Sequence, residues 1–167
     1  MKDILYLFTD SSVNPQTKIA YGSYVYLSEK QINTNDIHSL IKNKRFIDTS
    51  STLAELQILL FALQEKDLSE YKLVIYTDCQ NIIGLNNRRE GFEKSNYFSK
   101  TNKRIKNHLF YKEFFILNDK IDCTFIKIKG HKKTVLKDSI DRVFSLVDKN
   151  ARLALRNEFS VENINNK

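Results

Sequence analysis

Two stretches of this chain are apolar without a break and end on an acid: Ile4, Leu5, Tyr6, Leu7, Phe8 and Thr9 before Asp10, and Leu73, Val74, Ile75, Tyr76 and Thr77 before Asp78. Strands that are apolar throughout are buried on both faces, so the pair predicts the middle of a mixed sheet with helices packed against it. Side by side, the two strands would bring Asp10 and Asp78 to one end of that sheet, where open α/β folds bind their ligands.

The remaining elements follow from the same patterning. Residues 11–16, with the only proline at Pro15, read as a polar turn, and Ile19–Leu27 is a second β-rich run, so the two form a hairpin. Residues 29–42 are polar and ambiguous, and residues 44–48 predict a short third strand of a meander. Ser50, Ser51 and Thr52 open a helix in which Leu53, Leu56, Leu59, Leu60 and Leu63 fall at helical spacing. That helix is apolar nearly all round and is expected to be buried, with Glu55 the one charge near its start. Further on, Gly84 to Gly91 close a helix that begins after Asp78, residues 109–117 predict an amphipathic helix, residues 121–127 a strand, and residues 128–133 a basic loop. From about Val135 the chain turns helical again. Ile140, Val143, Phe144, Val147, Ala151 and Ala154 form one apolar stripe, with Asp141 and Asp148 beside it on a shared face.

Each of the three early acids has a structural reading. Thr52-Leu53-Ala54-Glu55 is a T-x-x-E capping box, Asp78 stands where it could cap the helix after it, and Asp10 could simply form a turn. Finding all three at element ends that one sheet could bring together favours chemistry.

Length and composition narrow the class. The 167 residues suit one domain, taken as residues 1–157 with a polar tail over 158–167. Cys79 and Cys123 make neither a disulfide framework nor a zinc spacing. No signal sequence or membrane span is visible, so a cytoplasmic, monomeric protein with no membrane or obligate protein partner is expected. A net charge of +7 and a pI near 9.3 point to a polyanionic partner. The charge is concentrated: residues 88–112 hold eight Lys or Arg against Glu90 and Glu93, interleaved with Phe92, Tyr97, Phe98, Phe110 and Tyr111. Such a segment suits a nucleic-acid backbone, with Phe110 and Tyr111 expected in the core.

Asp10, Glu55, Asp78 and one acid of the last helix would place four carboxylates together. Their repulsion calls for cations, and oxygen-only clusters suit Mg²⁺ or Mn²⁺. Two such ions about 3.5–4 Å apart can activate a water and stabilise a leaving oxygen at phosphorus. A basic protein with this cluster reads as a metal-dependent nuclease.

The motifs TDSS at residues 9–12, YGSYV at 21–25, AEL at 54–56, YTDCQ at 76–80, KGH at 129–131 and DKNAR at 148–152 together resemble the successive signatures of type 1 ribonuclease H. The resemblance implies an α/β fold with a five-stranded mixed sheet in 3-2-1-4-5 order and helices on both faces. It implies cleavage of the RNA strand of an RNA/DNA hybrid, giving 5′-phosphate products, with two Mg²⁺ ions that Mn²⁺ can replace. Asp10, Glu55, Asp78 and Asp148 would be metal ligands, and His131 would assist proton transfer or product release. Substrate contacts would come from Ser11, Ser12, Asn14, Ser51 and Gln80, and from the basic segment through Arg88, Arg89, Lys94, Lys103 and Arg104. Three departures stand out: Ser11 replaces the usual glycine after the first acid, there is no tryptophan, so Phe92 or Tyr97 would substitute, and both Asp141 and Asp148 fit the fourth ligand, with Asp148 preferred. Two other readings remain: a non-cleaving clamp for hybrid or double-stranded RNA, and a superfamily nuclease with a different substrate.

Overall fold

The computed structural model describes residues 1–129 and 138–165. Strand β1 (Asp3–Asn14) pairs antiparallel with β2 (Ile19–Leu27), and β2 pairs antiparallel with β3 (Lys42–Phe46). On its other side β1 runs parallel to β4 (Tyr71–Thr77), which runs parallel to β5 (Cys123–Lys127). The sheet order is therefore β3-β2-β1-β4-β5, as expected, with the two uninterrupted apolar strands at its centre.

Helices cover both faces. The short α1 (Glu29–Ile32) follows β2, α2 (Ser51–Gln64) follows β3, and α3 (Gln80–Ile83) and α4 (Leu85–Lys94) follow β4. Then come α5 (His108–Lys120) and, after β5, the long α6 (Ser139–Asn165). Because side chains alternate along a strand, β1 feeds two cores. Leu5 and Leu7 pack under α2 and α5 with Leu56, Leu59, Leu73, Ile75 and Phe114. Phe8 faces α6, packing with Val25, Leu27, Val143, Phe144 and Val147. Tyr111 is buried and Phe110 packs at the edge of the first core, as expected.

Several boundaries differ from the sequence expectation. Residues 11–14 are not a turn but the last four residues of β1, with Ser11 opposite Gly22 and Ser12 opposite Tyr21; the reversal lies beyond, where Lys18 has φ 56°. Asp10 is thus a mid-strand residue paired with Ser23, which removes its reading as a turn former. The third strand starts two residues earlier than expected. The T-x-x-E box does not form: Ser50 is the N-cap of α2, its hydroxyl accepting from the Leu53 N–H at 3.3 Å, while Thr52 lies inside the helix. Capping boxes do occur elsewhere, from Ser28 and Gln31 at α1 and from Asp138 and Asp141 at α6. Gly91 does not end a helix but lies inside α4, which runs to Lys94. Residues 158–165, expected as a polar tail, continue α6, and Glu158 there takes a bidentate ion pair from Arg45 of β3.

Gly22 sets the depth of α2 on the sheet. A Cβ on Gly22 would lie 2.4 Å from the Ile58 Cβ, so only glycine lets the helix approach this closely. Glu55, one turn before Ile58, is brought down onto β1 by the same contact.

Candidate active site

The alternation that divides the two cores also aims the site residues. Asp10 follows Phe8 on the α6 face of β1, and Ser11 follows Leu7 and Thr9 on the α2 face. Asp78 ends β4, the parallel neighbour of β1. One oxygen from each of Asp10, Glu55 and Asp78 lies within 4.8 Å of the others. Asp148, on α6, lines the same cleft, close enough to help raise the pKa of Asp10, and accepts from the Arg152 Nε at 2.9 Å. A cleft of about 350 Å³ opens over these acids, walled by Ser11, Ser12, Val13, Ile128, Lys129, Phe144, Ser145 and Arg152.

Asp141 also lines the cleft, but at the start of α6, where its carboxylate accepts from the Asp138 N–H at 3.4 Å. Two helical turns, about 10 Å, separate it from Asp148. The four acids Asp10, Glu55, Asp78 and Asp148 are brought together, whereas Asp141 sits at the N-terminal end of the cleft.

Electrostatically the cluster is unfavourable as it stands. Asp10 is 5% exposed, and burial, with the charges of Glu55, Asp148 and Asp78, raises its pKa well above the usual carboxylate range. Burial also raises Glu55, while the bonds from Ser11 pull the other way. Glu55 Oε1 accepts from the Ser11 N–H at 3.1 Å and from the Ser11 hydroxyl at 2.6 Å. Glu55 Oε2 is buried and has no hydrogen-bond partner. A buried carboxylate oxygen without a donor is costly unless something else satisfies it. An all-oxygen donor set around such an atom fits a hard divalent cation, which Asp10, Glu55 and Asp78 could hold.

The other expected site residues divide by location. Ser12 lines the cleft. The Asn14 side chain accepts from the Gln16 and Thr17 N–H groups at 2.9 and 3.2 Å, which commits it to the hairpin reversal. Ser51 is exposed at the first turn of α2, and Gln80 accepts from Lys127 Nζ at 2.5 Å. In the basic segment, Arg88 bonds the Asn81 carbonyl at 2.7 Å, across the break between α3 and α4. Arg89 pairs with Glu93 and with both oxygens of Asp119, and Lys94 pairs with Glu90. Arg104 bonds the Asn96 carbonyl at 3.1 Å and lies 4.1 Å over the Phe98 ring, while Lys103 is exposed. Tyr97 is buried, with Phe92 stacked between it and Tyr111, so both aromatics expected to replace tryptophan are packed inside the segment. Phe98 is partly exposed beside Arg104, as Phe92 is beside Arg88. His131 lies outside the described residues. Sequence reasoning did not single out Ser145, a serine one turn before Asp148, or the close approach of α2 at Gly22.

Comparison with known proteins agrees with this fold. The RNase H domain of PFV, solved in solution, superposes with a TM-score of 0.67 at 16% identity, covering 91% of this chain and 93% of that one. A foamy viral protease-reverse transcriptase solved in complex with dsDNA gives 0.62 at 13% identity, covering 89% and 92%. No curated protein matches the chain in sequence. The RNase H family model matches residues 2–152, nearly the whole described fold and all four clustered acids, and the chain belongs to the RNase H family.

Proposed function

We propose that the protein is a metal-dependent endoribonuclease that hydrolyses the RNA strand of RNA/DNA hybrids. The observation that carries this reading is the cluster of Asp10, Glu55 and Asp78, one oxygen from each within 4.8 Å of the others, at a cleft in a fold of the RNase H family. A fold that only gripped nucleic acid would gain nothing from that arrangement. Asp10, Glu55, Asp78 and Asp148 would hold two Mg²⁺ ions, with Mn²⁺ able to replace them. When bound, the metal supplies activation of the attacking water and stabilisation of the departing oxygen. Water adds in line at phosphorus and the P–O3′ bond breaks, leaving a 3′-hydroxyl and a 5′-phosphate. The protein's own groups position the reaction: Arg152 orients Asp148 and Ser11 holds Glu55, and His131 would assist proton transfer or product release.

The hybrid would lie across the cleft, with Ser12 near the cut strand and the Lys103 and Arg104 end of the basic segment on a phosphate backbone. Recognition of this kind reads groove shape, 2′-hydroxyls and phosphates rather than sequence. No helix among the described residues is long and apolar enough to cross a membrane, and both cysteines are free. A monomer working in the reducing cytoplasm suits these features.

The test is cleavage of an end-labelled RNA/DNA hybrid with Mg²⁺, beside EDTA and single-stranded RNA, double-stranded RNA and double-stranded DNA. The DNA duplex matters because one structural neighbour was solved with dsDNA. Metal-dependent cutting of RNA only in the hybrid, lost in Asp10→Asn, is expected. Binding without cutting in either Mg²⁺ or Mn²⁺ would leave a clamp, and cutting of another polymer would change the substrate.

A further inference from the structure

Glu55 meets Ser11 through a single oxygen. Both Ser11 donors, the backbone N–H at 3.1 Å and the hydroxyl at 2.6 Å, converge on Oε1, and Oε2 alone is left without a protein partner. The hydroxyl is the stronger contact by distance, and it exists only because serine follows Asp10. The surroundings make the pair rigid. Ser11 is mid-ladder opposite Gly22, and the missing Cβ of Gly22 is what lets Ile58, and with it the first turns of α2, settle against the sheet.

We propose that Ser11 is a positioning residue that restricts Glu55 to one-oxygen coordination and so sets which divalent ion the site prefers. This rests on the metal-site reading above. A carboxylate with one oxygen tied to two donors presents one ligand atom to a cation. Mg²⁺ takes six ligands at about 2.0–2.1 Å in near-ideal octahedral geometry and uses carboxylates one oxygen at a time, whereas Ca²⁺ takes six to eight oxygens at about 2.3–2.6 Å and gains from two-oxygen carboxylates. Locking Oε1 therefore favours the smaller ion. Loss of the hydroxyl would leave only the weaker backbone contact, free Glu55 to rotate both oxygens toward the ion, and lower the discrimination against Ca²⁺.

The experiment uses substrate-free protein. Mn²⁺ binding is followed by the EPR signal of the free ion and is competed with Mg²⁺ and, separately, with Ca²⁺, for wild type, Ser11→Ala, Ser11→Gly and Glu55→Gln, with thermal melts confirming that each variant is folded. Wild type is expected to release Mn²⁺ to Mg²⁺ at lower concentration than to Ca²⁺. In both Ser11 variants the Mg²⁺/Ca²⁺ preference is expected to fall about tenfold, the scale on which removing a partner of a metal ligand acts. If Glu55→Gln abolishes Mn²⁺ binding while the Ser11 variants keep the wild-type preference, the positioning role is wrong, and a lowered melting temperature alone would mark the hydroxyl as merely structural. If Glu55→Gln leaves Mn²⁺ binding untouched, the metal-site reading fails and the proposal falls with it.

Discussion

At the end of the sheet, Asp10 is buried against Glu55, Asp78 and Asp148, and a Glu55 oxygen has no donor. In the basic segment, Arg89 is bracketed by Glu93 and Asp119, Lys94 by Glu90, and Arg88 and Arg104 are tied to backbone carbonyls. Both regions are dense in one sign of charge, but only the first buries it: Asp10 is 5% exposed among like charges, whereas Lys103 keeps its cation in solvent. Counting residues would make the basic segment the stronger electrostatic feature, since residues 88–112 carry eight cations and two acids. Asp119 and the local pairs take part of that field away. The charge held out of water among its own kind is the acidic one.

Removing an acid should have the largest effect. Asp10→Asn and Glu55→Gln should each lower Mg²⁺-dependent cleavage of the hybrid by about 10³-fold or more, measured as single-turnover rates. Asp148→Asn should do the same and Asp141→Asn should cost much less; the reverse order would transfer the fourth ligand to Asp141.

Moving an acid without removing it comes next. In Gly22→Ala the new Cβ must displace Ile58, so α2 rises and carries Glu55 from Ser11. Overpacking of this kind costs about 2 kcal/mol in urea unfolding, together with a drop in Mg²⁺-dependent cleavage. Ile58→Ala in the Gly22→Ala background should restore part of the cleavage; no recovery would separate Gly22 from the placement of Glu55.

The clustered acids also predict a pH signature. The folded-state pKa of Asp10 is raised, so between the unfolded value near 4 and the higher folded value the native state binds more protons than the unfolded state. Metal-free stability must therefore fall as pH rises from about 4 through neutrality. At pH 7.5 without metal, Asp10→Asn should be more stable than wild type by on the order of 2 kcal/mol, and its stability should vary less with pH. Saturating Mg²⁺ should reverse the order of the two proteins. A wild type whose metal-free stability rises across that range would contradict the repulsion.

The smallest effects belong to the basic segment, and there the two kinds of cation should separate. Arg89→Ala should lower the melting temperature by about 3 °C with little change in hybrid affinity, because its partners are protein carboxylates. Lys103→Ala should leave the melting temperature alone and weaken hybrid binding a few-fold at low salt, reducing the salt slope by about one. Equal losses of affinity from both would mean that Arg89 exchanges Asp119 for phosphate on binding.

The central strands and buried helices were legible because uninterrupted apolar runs and leucines at helical spacing have few other solutions. The end of β1 was not, because Ser11, Ser12 and Asn14 are polar and follow no hydrophobic period, yet the β2 ladder holds them extended. Glu55 was found as a candidate, but its competing role as a cap was settled only by Ser50, one of four successive hydroxyl residues, Thr49 to Thr52. The partners of the basic residues were hidden for a different reason. Asp119 lies thirty positions after Arg89, and nothing in local spacing joins them. The role of Gly22 depends on how deeply α2 sits, which is a property of the packed pair rather than of either segment.

The central place of β1 also governs when the site can exist during synthesis. Its antiparallel partner β2 follows within a few residues, its parallel partner β4 only after α2, and α6, which packs on β1 and carries Asp148, comes last. Pairings between distant segments are slow to form because the intervening chain must close first. A nascent chain that has emerged only as far as Asp78 already holds three of the acids but lacks α6 over the Phe8 face of its sheet. Assembly of the four-acid cluster and packing of α6 on the sheet thus become one late event.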